Sequence, residues 1–295
     1  MTDRAETELL RVKNLRVAYL DRSGEANAAV DGVSFFIRRG ETVGLLGESG
    51  CGKSTIALSL LGLLAQESTS QDGTIEFNGR ELQNLPEKEW QKVRGAEIGL
   101  ISQDPTLALS PVKRIGEQVA DVYRAHKPWK RGRCLEEAER LLISVHLTDV
   151  PRIFSSYPFQ LSGGQLQRIV IAQVIACEPS LVIADEPTSA LDSIIRAEML
   201  ALFQELRGRN NTAFFFISHE PEILALLADR IMVMKEGRII EEGTFVELRD
   251  RPANIFTREL IGAIRQPSGA QSAKQPSVDS RKGTEEHAAS RETRK

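Results

Sequence analysis

The fold of this chain is decided by one stretch, Gly47-Glu48-Ser49-Gly50-Cys51-Gly52-Lys53-Ser54. It matches the pattern G-x-x-x-x-G-K-[ST], in which glycines let the backbone wrap closely around an anion. An apolar strand at residues 42–46 runs into this loop, and a helical pattern leaves it from about Lys53. The positive end of that helix dipole adds to the attraction for an anion. The stretch therefore predicts a loop that binds nucleoside phosphates, and a glycine-rich turn before a core helix is the weaker alternative.

Individual residues of the loop have separate expected roles. Lys53 is placed to reach the β- and γ-phosphates, and the Ser54 hydroxyl is placed to bind Mg²⁺. A nucleoside triphosphate and Mg²⁺ are therefore the expected ligands. The other expected nucleotide contacts in and beside the loop are Gly47, Ser49, Gly50, Cys51, Gly52 and Thr55.

Composition limits the class of protein. The chain has 295 residues, of which 41% are hydrophobic, enough for one large domain or two smaller ones. A net charge of −3 argues against bulk binding to nucleic acid or acidic lipid. The three cysteines show no metal or redox spacing, which is typical of a reducing cytoplasm. No signal peptide is seen, and no run approaches the ~18 apolar residues that span a bilayer, so we expect other subunits to cross any membrane.

Strand and helix patterns alternate along the chain, which indicates an α/β fold with a mostly parallel sheet. The first strand, at residues 9–19, is expected at the edge of a pair, with a bulge at Lys13-Asn14. Further strands are predicted at residues 29–38, 41–46, 73–79, 98–102, 181–185 and 213–217, with a hairpin at 231–241. Helices are predicted at about 53–65, 193–207 and 253–264. An inserted α-helical subdomain and an antiparallel β part complete the predicted nucleotide triphosphatase core.

A pair of carboxylates follows the apolar strand at residues 181–185. Because α/β sheets bind ligands at the carboxyl ends of their strands, Asp185 and Glu186 should lie near the phosphate loop. Asp185 is expected to hold Mg²⁺, and Glu186 to accept a proton from the attacking water or to orient it. Two capping acids at a strand end are the alternative.

A third motif, Leu161-Ser162-Gly163-Gly164-Gln165, precedes a helical pattern and forms another anion-ready helix N-terminus. Alone it would be an ordinary helix cap. Together with the phosphate loop and the Asp185-Glu186 pair, it resembles the signature of ABC-type ATPases. The resemblance covers residues 9–262. It implies ATP as the nucleotide and an ABC-type domain at 8–265, with a core at 8–86 and 179–245, a helical insertion at about 87–178 and a helix at 253–264. The polar composition after residue 265, with almost no large apolar residues, separately predicts a disordered tail at 266–295.

The resemblance assigns further site residues. Gln103 resembles the glutamine that contacts Mg²⁺ or the attacking water and senses the membrane subunits. His219 resembles the switch histidine at the γ-phosphate, although alone it would be a structural cap. Tyr19 resembles the aromatic residue that stacks on adenine, and core packing is nearly as good an explanation. Residues 189–192 resemble a dimer-contact loop.

The resemblance also implies partners and a location. Ser162, Gly163, Gly164 and Gln165 of a second ATPase subunit, the same chain or a related one, would close over the γ-phosphate. Two transmembrane permease subunits and, indirectly, an extracytoplasmic solute-binding protein are expected, at the cytoplasmic face of the bacterial inner membrane. No nucleic acid is expected as a partner.

Residues 103–112 and 115–118 resemble one subgroup, the ATPases of dipeptide, oligopeptide and nickel importers. We therefore expect an ATPase that powers solute import, with di- or oligopeptides as the solute. Alternatives are an importer ATPase for nickel or another small solute, a soluble ABC-type ATPase not coupled to transport, and a silent partner that binds ATP without cleaving it.

Two smaller hypotheses concern Cys51 and the basic segment 126–133. The loop N–H groups would favour a reactive thiolate at Cys51, and a small filler residue is as good an explanation. The basic segment is expected to be a solvated loop, with contact to an anionic membrane face as the second alternative and nucleic acid as the third.

Overall fold

The computed structural model describes residues 8–20, 25–65, 67–189, 191–207 and 211–262. The chain divides into two units, residues 1–264 and 265–295. The second unit lies outside the described residues, and so does the predicted disorder of residues 266–295.

Ten strands form two sheets in the described part of the chain. The strands are β1 (Glu8–Leu20), β2 (Ala26–Arg38), β3 (Thr42–Gly47), β4 (Thr69–Phe77), β5 (Arg80–Glu81), β6 (Ile98–Ile101), β7 (Leu181–Asp185), β8 (Ala213–Ser218), β9 (Arg230–Lys235) and β10 (Arg238–Gly243). The helices are α1 (Lys53–Leu60), α2 (Glu87–Val93), α3 (Pro105–Ala108), α4 (Ile115–His126), α5 (Arg131–Ser144), α6 (Val150–Ser155), α7 (Gly163–Ile175), α8 (Ser193–Arg207), α9 (Pro221–Leu227), α10 (Phe245–Asp250) and α11 (Ile255–Gly262).

The larger sheet has the strand order β10-β9-β3-β8-β7-β6. All neighbouring pairs except β10 with β9 are parallel. Every residue of β3 and β8 is buried, as expected for parallel strands covered on both faces. Alternate side chains of β8 pack into two different hydrophobic cores. Phe214 and Phe216 belong to one core, and Phe215 and Ile217 belong to the other. The prediction of a mostly parallel sheet is confirmed.

The smaller sheet is antiparallel, with the order β2-β1-β4-β5. The predicted bulge in β1 is present, since the register shifts between Val12 and Leu15 and Asn14 has a φ of 49°. The predicted edge position of this strand is wrong. β1 pairs with β2 on one side and with β4 on the other, because apolar residues of β4 extend the same core.

The helical region is narrower than the predicted insertion at 87–178. Strand β6 lies inside those boundaries but pairs with β7 in the larger sheet. Trp90 and Val93 of α2 pack in the hydrophobic core that lies between the antiparallel sheet and the larger sheet. The helices from α3 onward pack together through apolar residues such as Ile115, Leu142 and Ile153.

Some helix boundaries also differ from the predictions. Helix α1 ends at Leu60 instead of about residue 65, because Gly62 takes a φ of 58° and turns the chain. Helix α8 has the predicted bounds. Helix α11 begins at Ile255, two residues after the predicted start. Helices α9 and α10 were not predicted, because each has fewer than two full turns over which a helical period can be recognised.

Candidate functional site

The phosphate-binding loop follows β3 and depends on glycine at two positions. Gly50 and Gly52 have φ values of 82° and 106°, a region that side chains disfavour. A Cβ on Gly52 would also lie 2.1 Å from the Ala29 carbonyl oxygen, whereas one on Gly50 would meet no atom within 4 Å. Gly52 therefore lets the loop lie against β2, and Gly50 only lets it turn.

Lys53 begins α1 and is held by the loop itself. Its side chain is buried, and Nζ donates hydrogen bonds of 2.8 Å to the carbonyl oxygens of Gly47 and Glu48. The ammonium group is thereby fixed over the loop, at the N-terminus of the helix. A positive charge in this position can neutralise phosphate oxygens.

Ser54 and Asp185 meet because β3 and β7 both neighbour β8, so their carboxyl ends lie at one edge. The Ser54 hydroxyl lies beside the Asp185 carboxylate, where hydrogen bonding to it lowers the pKa of that carboxylate. Burial raises the pKa of Asp185 above its usual value, against the lowering effect of this hydrogen bond and of Lys53. Its Oδ1 atom is buried and has no hydrogen-bond partner among the described residues. A carboxylate oxygen without a partner beside a hydroxyl is a donor set that fits Mg²⁺.

Glu186 and His219 form the second pair at this edge. Nδ1 of His219 lies 3.1 Å from Oε1 of Glu186, whose side chain is only 15% exposed. Glu186 has a φ of 47°, a costly conformation for a residue with a side chain, and its N–H donates to the Ile217 carbonyl oxygen at 2.9 Å. The positive φ therefore falls at the first residue after β7, beside His219.

Tyr19 lies beside the loop at the end of β1. Its hydroxyl is 3.2 Å from the Thr55 hydroxyl, and its side chain is partly exposed. Tyr19 lines a cavity of 310 Å³ together with Asn27, Ala28, Ala29, Gly50, Gly52, Ser54 and Thr55. The ring is therefore placed beside the loop, and its stacking on adenine stays a prediction. Ser49 is exposed on the same loop.

The remaining predicted residues lie away from the loop within this chain. Gln103 is exposed two residues after β6, and β7 and β8 separate that strand from β3. Ser162 caps α7, accepting from the Gln165 N–H at 3.3 Å while the Gln165 side chain accepts from the Ser162 N–H at 3.1 Å. Ser162 and Gly163 are exposed, and Gly164 packs against Ile195. The helix N-terminus is thus preformed and accessible.

The thiolate hypothesis for Cys51 is not supported. Burial raises the pKa of this thiol above its usual value, and the lowering effects of Lys53 and the backbone N–H groups are smaller. The sequence motif indicated an electropositive loop, but it did not show that the sulfur packs beside Gly47. A protonated, space-filling cysteine fits this position.

The basic segment 126–133 has a packing role. The ring of Trp129 lies 5.3 Å from that of Tyr123, and the Arg133 guanidinium lies 4.1 Å above Trp129. Only residues 127–130 form the predicted loop, because His126 ends α4 and Arg131 begins α5. Trp129 in that loop packs against the protein.

Sequence reasoning missed two charged residues near the site. Arg196 of α8 and Glu220, directly after His219, form an ion pair of 2.6 Å. The only sequence signal was the position of Arg196, one helical turn after Asp192. That spacing predicts that Asp192 and Arg196 share one face of the helix, but it does not predict Glu220 as the partner of Arg196.

Comparison with known proteins identifies the family. Residues 30–189 match the family model described as ABC transporter. The oligopeptide transport ATP-binding protein OppD of Escherichia coli is 40% identical over 256 residues, covering 87% of this chain and 75% of its own. This chain belongs to the ABC transporter ATP-binding family. The dipeptide transport ATP-binding protein DppD of Bacillus subtilis is 39% identical over 258 residues, covering 87% of this chain and 77% of its own.

Solved ABC cassettes share the fold. A dimeric ATP-binding cassette, MJ0796, bound to ADP and phosphate in a post-hydrolysis state, gives a TM-score of 0.71 at 26% identity. That match covers 80% of this chain and 99% of the other. The cassette cbiO1 of Clostridium perfringens gives 0.69 at 26% identity, covering 87% and 93%. The predictions of an ABC-type ATPase, of its fold class and of ATP with Mg²⁺ are confirmed. Within the described residues, no helix has the length and hydropathy to cross a membrane.

Proposed function

We propose that this chain hydrolyses ATP to power the import of di- or oligopeptides through partner membrane subunits. The observation that carries the catalytic part is the meeting of two pairs at one sheet edge, Ser54 with Asp185 and Glu186 with His219. These pairs supply a Mg²⁺ ligand set and a base held by a histidine. Both lie beside the loop that holds Lys53.

Each residue has its own role in this mechanism. Lys53 neutralises the β- and γ-phosphates, and Ser54 and Asp185 would hold Mg²⁺, which when bound offsets charge on the phosphate oxygens. Glu186 orients the attacking water and accepts its proton, while His219 holds the Glu186 carboxylate and contacts the γ-phosphate. Gln103, two residues after β6, would contact Mg²⁺ or the attacking water. Catalysis is then positioning and electrostatics, with no covalent intermediate.

A second ATPase subunit completes the site in this proposal. The capped N-terminus of α7, with Ser162 and Gly163 exposed, supplies N–H groups suited to the γ-phosphate of the other subunit. The solved cassette of similar fold is itself a dimer. ATP between the two subunits would hold them together, and hydrolysis would release them.

An apolar surface of Leu107, Val112 and Phe159 is the proposed contact with the membrane subunits. These side chains are 85%, 84% and 76% exposed. Their two segments are joined by a 2.9 Å hydrogen bond from the Ile115 N–H to the Ser156 carbonyl oxygen. Large exposed apolar side chains on adjoining segments are typical of an interaction site. The surface follows Gln103 in the chain, so a helix bound there could act on that residue. Such binding would hold the chain at the cytoplasmic face of the inner membrane.

The peptide substrate is proposed from the relatives, whose names specify oligopeptide and dipeptide transport. The test begins with the tagged chain, extracted from native membranes in mild detergent. We expect two membrane-spanning proteins to co-purify, and a second ATPase in the eluate would make the dimer a heterodimer. Recovery only from the soluble fraction would contradict the transport role.

The same complex, reconstituted in vesicles with its solute-binding protein, identifies the solute. We expect labelled di- or oligopeptides to be taken up with ATP, and uptake to stop in a Glu186→Gln complex that still binds ATP. Uptake of nickel without uptake of peptides would contradict the proposed substrate.

A further inference from the structure

The ion pair between Arg196 and Glu220 joins two parts of the site. Nη1 of Arg196 lies 2.6 Å from Oε2 of Glu220, and Nη2 donates to the Leu191 carbonyl oxygen at 3.4 Å. The side chains are 32% and 27% exposed, so solvent screens the pair only in part. One guanidinium therefore contacts both the segment before α8 and the residue after His219.

Arg196 itself is held in place by the start of α8. The Asp192 side chain accepts from the N–H groups of Ile194 and Ile195, at 3.1 and 3.0 Å, and the Arg196 N–H donates to the Asp192 carbonyl oxygen at 2.8 Å. Asp192 thus caps the helix. Any movement of this cap carries the guanidinium with it.

Glu220 is held from the other side. Its N–H donates to the Ser218 hydroxyl at 2.9 Å, and Ser218 is the last residue of β8. His219, between them, contacts Glu186. The Glu186 carbonyl oxygen in turn accepts from the N–H and the hydroxyl of Ser189, at 3.3 and 3.1 Å.

These contacts close a ring around the catalytic pair. The ring runs from Glu186 through His219 and Glu220 to Arg196 and then to Leu191. The Leu191 N–H donates to the Thr188 carbonyl oxygen at 3.3 Å, which returns the ring to the segment after Glu186. A fork-shaped guanidinium suits this position because it can donate in two directions at once. The Nε atom of Arg196 is buried and has no partner among the described residues. The guanidinium therefore bonds through its two terminal nitrogens and leaves Nε unpaired.

We propose that Arg196 and Glu220 are positioning residues that link the segment around Leu191 to His219. This rests on the proposed function, with its second ATPase subunit, and on the resemblance of residues 189–192 to a dimer-contact loop. When the second subunit moves Leu191 and Asp192, Arg196 passes the displacement to Glu220, and His219 is set against Glu186. ATP binding at Lys53 does not require the link, whereas hydrolysis does.

The test compares ATP hydrolysis and ATP binding in the purified full-length chain. Arg196→Ala and Glu220→Gln are expected to lower kcat about 10- to 100-fold, as a small misplacement of reacting groups does, with little change in KM or in affinity for ATP. Arg196→Lys should recover little of the loss, because an ammonium group cannot reach both acceptors in one geometry. The charge swap Arg196→Glu with Glu220→Arg should hydrolyse ATP at least about threefold faster than the product of the single effects predicts.

A matched control is the ion pair at the other end of the same helix. Arg207 lies 2.6 Å from Asp229, and it also donates to Thr42 at the start of β3. Arg207→Ala should lower the melting temperature and leave kcat unchanged. Arg196→Ala should change kcat more than a loss of stability can explain.

Two outcomes would overturn the inference. One is an unchanged kcat in both Arg196→Ala and Glu220→Gln, and the other is a loss in these variants that Arg207→Ala reproduces. Failure of the wild-type protein to hydrolyse ATP would instead contradict the proposed function. That failure can be told apart from the two outcomes above, because both require an active wild-type protein.

Discussion

Nδ1 of His219 lies 3.1 Å from Oε1 of Glu186 because β7 and β8 are parallel neighbours. Asp185 pairs in register with Ile217, so the residues that follow each strand leave the sheet side by side. The topology of the sheet thus brings Glu186 and His219 together at the edge where the phosphate loop follows β3. The pair is positioned by the strands, which are buried, and not by a flexible loop.

Replacing Asp185 should separate function from stability. Asp185→Asn removes a buried charge whose Oδ1 atom has no partner among the described residues, so the variant should be more stable by about 1–3 kcal/mol without nucleotide. It should also lose most of its Mg²⁺-dependent ATPase activity. Thermal unfolding and phosphate release measure the two effects. A less stable Asp185→Asn protein would contradict the reasoning from burial.

The same carboxylate should make stability depend on pH. Burial raises the pKa of Asp185 above its ordinary value, so the folded chain holds this proton more tightly than the unfolded chain. Stability from this group is present below the ordinary pKa and is lost as pH rises through the raised one. The melting temperature of Asp185→Asn should therefore exceed that of wild type most at neutral pH, and the gap should shrink on acidification. A constant gap would mean that the pKa of Asp185 is not raised.

Gly52 and Gly50 form a matched pair for testing the loop. Both have positive φ, so alanine at either should cost about 1–2 kcal/mol of backbone strain. Only at Gly52 would the new Cβ collide with the Ala29 carbonyl oxygen, so Gly52→Ala should lower the melting temperature of the nucleotide-free chain clearly more than Gly50→Ala. Equal effects of the two substitutions would show that the loop can move away from β2.

The apolar surface should matter for coupling and not for the fold. Leu107→Lys should reduce co-purification of the membrane subunits about 10-fold or more, because a central apolar contact is lost. ATP affinity and melting temperature of the isolated chain should stay close to wild type. Ile143→Lys, at a residue 59% exposed on α5, is the control. If both variants lose the membrane subunits equally, this surface is not the specific contact.

Much of the core could be predicted from sequence because its signals are local. The phosphate loop requires glycines at fixed spacing, and β7 is a continuous apolar run that leads straight to Asp185 and Glu186. Helix α8 shows a clear helical period over its whole length. Each of these patterns reflects local physical requirements, so the strand, the loop and the helix could be predicted without tertiary information.

The remaining features depend on tertiary contacts that no local pattern records. The central position of β1 depends on the strand that pairs along its second edge. The place of β6 in the larger sheet depends on its pairing with β7. The raised pKa of Cys51 follows from burial against the loop. The contact of Arg196 with Glu220 joins residues on different elements, so it too is visible only in the folded chain.

One pair of variants tests whether the chain hydrolyses ATP with Glu186 as the base. Glu186→Gln keeps the shape of the side chain and removes its ability to accept a proton, and Glu222→Gln makes the same change on the exposed face of α9. Phosphate release and ATP binding are measured on both, in the same preparation as wild type. We predict that Glu186→Gln binds ATP normally and hydrolyses it about 100-fold or more slowly, while Glu222→Gln matches wild type. Hydrolysis at the wild-type rate by Glu186→Gln would contradict the account.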